Sequence, residues 1–102
     1  MGFEKKVPAN SAELKGYLDQ VHENRKHVSS VKIGTNNDRI EIDLDRKANF
    51  FGYADMYIPL RKGKAEEAKA ILERLLSQSA QGHPPSQSDA DALFALIDQT
   101  TR

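Results

Sequence analysis

The sequence predicts an α+β domain: a three-stranded antiparallel sheet in α-β-β-β-α order, helices packed on one sheet face, and a short C-terminal helix after a Gly/Pro linker. Three observations lead there. Over residues 39–45, Ile40, Ile42 and Leu44 alternate with Glu41, Asp43 and Asp45. Period two with opposite characters describes a strand with one buried and one wet face. Residues 50–60 alternate again, and here the second face carries the aromatics Phe51, Tyr53 and Tyr57. On either side of this block, Leu14, Tyr17, Leu18 and Val21, then Ala65, Ala68, Ile71, Leu72, Leu75 and Leu76, recur at helical spacing.

Each element has its own punctuation. Residues 1–9 read as an extended, basic N-terminal lead, an arm or an edge strand. Asn10 caps the first helix, and Glu13, three residues on, completes a capping box. The apolar stripe lapses at Asn24 and Arg25, which ends this helix near His27. Gly16 weakens it by about 1 kcal/mol relative to alanine. Val31 and Ile33 mark the first strand, and the Thr35-Asn36-Asn37-Asp38 cluster turns the chain, because Asn and Asp tolerate left-handed backbone. A second turn at residues 46–49 leads into the third strand, with Gly52 as a candidate bulge. Pro59 has no N–H to donate, so that strand should end at an edge or leave the sheet there. The second helix spans residues 62–79, with Lys69 and Glu73 spaced for an i,i+4 pair. Residues 10–80 form the core domain, residues 81–88 a linker rich in Gly, Pro and Ser, and residues 89–102 the C-terminal helix. Ser88 is its expected cap and Asp91 its box partner. Ala90, Leu93, Phe94, Leu96 and Ile97 give it an apolar face.

Composition narrows the function classes. A chain of 102 residues supports one hydrophobic core without staples. Fifteen basic and fifteen acidic side chains cancel, which argues against binding nucleic acid or anionic membrane by net charge. The absence of cysteine excludes disulfides, thiolate metal sites and thiol catalysis. No apolar run approaches the roughly 20 residues of a membrane span, and residues 1–10 carry no signal-peptide core. The expectation is a cytoplasmic protein with no membrane partner.

The constellations that carry catalysis do not assemble. His22 and His27 are five apart, which splays them around a helix. Asp19, Glu23 and His27 share an i,i+4 row, but a metal site needs a convergent set with supporting partners. There is no G-x-S-x-G elbow, and Arg61-Lys62-Gly63-Lys64 lacks P-loop spacing. No catalytic residue, metal or cofactor is expected.

Two surfaces remain. Phe51, Tyr53 and Tyr57 on a wet sheet face can anchor a protein partner, with Glu41 and Asp43 steering a basic surface. Arg61, Lys62 and Lys64 open the second helix, where free N–H groups and the helix dipole already favour anions. The α-β-β-β-α order with lysines opening the last helix resembles the double-stranded-RNA-binding domain over residues 11–76. That resemblance implies phosphate contacts from Arg61, Lys62 and Lys64. The turn at residues 35–38 departs from it in lacking the family's Gly-Pro-x-His loop, and aromatics stand in place of its glycine-rich third strand.

The expected function is a small non-catalytic protein-binding or inhibitory module, of a kind frequent among accessory proteins of phages and mobile elements. A nucleic-acid-binding module using the basic helix start is the alternative. A homodimer through sheet edges or exchanged third helices is a further possibility on the same pattern.

Overall fold

A computed structural model describes residues 4–5, 7–34, 36–44 and 56–98. Along the chain run β1 (Glu4–Lys5), α1 (Ser11–Glu23), a 3-10 turn (Arg25–His27), β2 (Val28–Ile33), β3 (Arg39–Leu44), β4 (Met56–Pro59), α2 (Ala65–Ala80) and α3 (Gln87–Phe94). β2, β3 and β4 form the expected antiparallel sheet. The N-terminal lead adds a fourth strand: β1 pairs in parallel with β4, giving the order β1-β4-β3-β2.

α1 begins as its sequence demands. The Asn10 side chain accepts from the Glu13 N–H at 2.8 Å. The Glu13 carboxylate reaches back to the Ala9 N–H at 3.3 Å, one residue before the cap. The helix stops at Glu23, because Asn24 leaves helical geometry and the chain tightens into the 3-10 turn. His27 therefore lies off α1. Gly16 faces open space, with nothing near the position a Cβ would take.

α2 closes with a Schellman arrangement. Gly82 takes φ +88°, its N–H donates to the Ser79 carbonyl at 2.9 Å, and the His83 N–H donates to Gln78 at 2.9 Å. α3 starts earlier than expected. Ser86, not Ser88, is its cap, and Asp89, not Asp91, completes the box. Asp89 also accepts from Arg74 of α2 at 2.8 Å, which ties the start of α3 to its neighbour. The helix ends at Phe94, short of the expected residue 102. No ion pair joins Lys69 to Glu73 among the described residues.

The three helices share one core with one face of the sheet. Leu14, Leu18 and Val21 from α1, Ala65, Ala68, Leu72 and Leu75 from α2, and Ala90 and Leu93 from α3 pack with Ile40, Ile42, Leu44 and Ile58. Period two on the strands and period 3.6 on the helices converge on this layer. α3 packs chiefly on α1 and also touches α2. It thus folds onto its own core, on the helical side of the sheet.

Leu96 and Ile97, expected on the face of α3, lie past its end and are buried in the same core. They return the chain to β4. Ile97 forms an antiparallel bridge with Leu60, the Arg61 N–H donates to Leu96 at 2.9 Å, and the Asp98 N–H donates to Pro59 at 3.2 Å. β4 ends at Pro59, one residue short of the expected Leu60, and its end neither lies at an edge nor leaves the sheet, since Pro59 pairs with Arg39 and Leu60 bridges Ile97. The Leu60 N–H donates to Asp38 on the β3 side, so Pro59, one residue earlier, directs its backbone to the opposite side. There its carbonyl serves Asp98 and a donor is not required.

Candidate functional site

The outer sheet face is built by the other half of the strand alternation. β3 supplies Arg39, Glu41 and Asp43, β2 supplies Ser30 and Lys32, and β4 supplies Tyr57. Register places Glu41 opposite Tyr57 on one side and opposite Lys32 on the other, with Asp43 opposite Ser30. These positions are half-buried apart from Lys32, which is exposed.

Their side chains pair across the face. The Arg39 guanidinium lies over the Tyr57 ring, 5.0 Å from its centroid, and its Nε donates to Glu41 Oε2 at 2.8 Å. A cation held over an aromatic face by a carboxylate is attracted from both directions. Lys32 Nζ stands 3.1 Å from Asp43 Oδ2, which also accepts from Ser30 Oγ at 2.9 Å. Asp43 Oδ1 is buried and has no hydrogen-bond partner among the described residues.

Exposure reverses the expected polarity. In each ion pair the acid is the sheltered member: side-chain exposure is 13% for Glu41 against 38% for Arg39, and 22% for Asp43 against 61% for Lys32. Glu41 and Asp43 hold cations in place and do not stand as a free acidic surface. Of the three aromatics expected here, Tyr57 is on this face; Phe51 and Tyr53 lie outside the described residues.

Gly34 is part of the same construction. A Cβ built on it would collide with Cγ, Cδ and Nε of Arg39. The Arg39 stem crosses the place where any other residue would put a side chain, and this directs its guanidinium to Tyr57. Sequence reasoning missed Gly34, although a glycine ending one strand with arginine opening the next was a visible signal.

The basic helix start is a separate surface. Arg61, Lys62 and Lys64 are all exposed. Lys64 takes the cap position of α2 with no side-chain hydrogen bond to the helix. Its ion pair to Glu67 is long at 3.9 Å.

The histidine and carboxylate row is dispersed. Asp19 pairs with Lys15 at 2.9 Å, and His22 Nδ1 bonds the buried Ser79 hydroxyl at 2.9 Å, joining α1 to α2. Among the described residues no three His, Asp or Glu side chains converge on a point where a metal would sit, and no helix is long and apolar enough to cross a membrane.

Comparison with protein-family models, with curated proteins and with solved structures returns no significant match for this chain.

Proposed function

We propose that this protein is a non-catalytic protein-binding module whose contact surface is the outer face of the sheet. The observation that carries the reading is the Arg39–Tyr57 stack, fixed by Glu41 and floored by Gly34, on the face that the helices leave uncovered. Tyr and Arg are the residue types that concentrate binding energy at protein interfaces. A ring and guanidinium already held in place lose little rotamer freedom on docking. Phe51 and Tyr53 belong to the proposed anchor set with Tyr57. Glu41 and Asp43 contribute by holding Arg39 and Lys32, so the partner meets paired charges and an aromatic surface.

The test is affinity capture from native lysate with and without nuclease, using the wild-type chain and Tyr57→Ala. A protein that co-purifies, survives nuclease and disappears with Tyr57→Ala, while the melting temperature of the variant stays within about 5 °C of wild type, supports the reading. A large fall in melting temperature would make Tyr57 a structural residue and remove it.

Nucleic-acid binding through Arg61, Lys62 and Lys64 is the second reading. It is favoured by three exposed cations at a helix start that has no capping side chain. It predicts affinity for a duplex that falls steeply with salt and is lost when the three become alanine. Nucleic acid enriched in the same capture, and released on digestion, would establish it in place of the first.

A further inference from the structure

A hollow of about 300 Å³ opens where the 3-10 turn meets the end of α2, lined by Arg25, Lys26, Val28, Leu76 and Ala80. This region is independent of the outer sheet face. Its lining divides cleanly by chemistry. The 3-10 turn contributes two adjacent cations, while β2 and α2 contribute three aliphatic side chains, with no acid and no aromatic among them.

Neither cation forms an ion pair with the described residues. Arg25 Nη1 donates to the His22 carbonyl at the end of α1, 2.9 Å away, which holds the guanidinium beside the hollow. Lys26 is exposed and forms no ion pair with the described residues. Both cations follow the C-terminal end of α1, whose partial negative charge they offset, and Arg25 and Lys26 are the charged members of the lining. Beside them, Val28 and Leu76 are half-buried and packed against the core, so the aliphatic wall is fixed. A volume of this size is at the lower limit of small-ligand clefts.

We propose that this hollow binds a small anionic amphiphile, a free carboxylate on a short aliphatic chain. The carboxylate accepts from Arg25 and Lys26, and the chain lies against Val28, Leu76 and Ala80. Charge-assisted hydrogen bonds from two cations select the head group. The aliphatic wall selects against a bare anion, since burial of each methylene is favourable by about 0.8 kcal/mol.

The test is a titration of the full chain, followed by amide chemical shifts, with octanoate, octyltrimethylammonium and acetate. Octanoate is expected to give saturable shifts confined to residues 25–28 and 76–80. Arg25→Gln with Lys26→Gln is expected to weaken it by about tenfold or more. Ala80→Trp, which fills the hollow and leaves both cations, is expected to abolish it. All three positions are at least partly exposed, and unchanged shift dispersion elsewhere verifies that the variants fold. Three results each overturn the proposal: no saturation by octanoate, an equal response to octyltrimethylammonium, which reduces the site to an apolar contact, or acetate as effective as octanoate, which reduces it to an ion contact.

Discussion

The two faces of the same sheet are stabilised in different ways. On the inner face, Ile40, Ile42 and Ile58 lose nearly all contact with water against three helices. On the outer face, Arg39, Glu41, Asp43, Lys32 and Tyr57 remain partly wet and satisfy one another through ion pairs and a stacked ring. Inner-face packing depends on volume and area and holds the fold together. Outer-face pairing depends on geometry, is worth little per contact in water, and is the part that a partner can reach. Stability and the proposed recognition are thus divided between alternate residues of single strands, and a substitution one position along changes which of them is lost.

The largest expected effect comes from breaking the inner face. Ile42 is 1% exposed and touches the layer where helices and sheet meet. Ile42→Ala removes buried methyl and methylene groups and leaves a cavity, at a cost of about 2–5 kcal/mol. Thermal unfolding should show a melting temperature lower by about 10 °C or more. Binding, measured well below that temperature, should be retained. If Ile42→Ala unfolds with the midpoint of wild type, the inner face is not the stabilising layer.

A substitution on the outer face sharpens the contrast. Gly34→Ala places a Cβ in the path of the Arg39 stem. Arg39 is 38% exposed, so it has room to swing away, and the guanidinium then leaves both Tyr57 and Glu41. The loss in stability should be about 1 kcal/mol, the scale of one cation–π contact with a surface ion pair. The more telling readout is the Tyr57 ring resonances, which should move as the stacked cation departs, with partner binding weakened in step. Unmoved Tyr57 resonances would show that Gly34 does not direct Arg39.

The contrast also explains what the sequence made legible. Periodicity reports burial, and burial was recoverable: the apolar residues of β3 and the stripes of α1 and α2 occupy the core as their spacing requires. The outer face obeys local geometry that periodicity does not encode. Alternation identified Glu41 and Asp43 as water-facing, yet their sheltering depends on cross-strand partners, Arg39 and Lys32, that only register brings near. Of the proposed anchors, Tyr57 is the one within the described residues, and it is stacked under Arg39. Position along the chain was similarly deceptive for α3. Ser88 with Asp91 and Ser86 with Asp89 have the same spacing, and the pair that forms the box is the one whose aspartate also meets Arg74 of another helix. The hollow at Arg25 and Lys26 escaped notice because its walls come from segments about fifty residues apart.

The smallest effect lies at the rim, where the two kinds of packing meet. Tyr17 packs its ring against the core cluster, and its hydroxyl donates to Glu13 Oε1 at 2.9 Å. Partial burial, and then the hydrogen bond and negative charge of Glu13, raise the phenol above its ordinary value of 10.0. The native state therefore keeps the proton to higher pH than the unfolded chain. Stability from this group is complete below about pH 10, and is lost as pH rises through the higher native value, because the unfolded state ionises first. Tyr17→Phe retains the ring and removes the titration. The difference in stability between wild type and Tyr17→Phe should be constant from neutral pH to about pH 9 and then shift against wild type in alkaline solution. A difference independent of pH across that range would mean that the phenol titrates alike in both states and is not raised by its place at the rim.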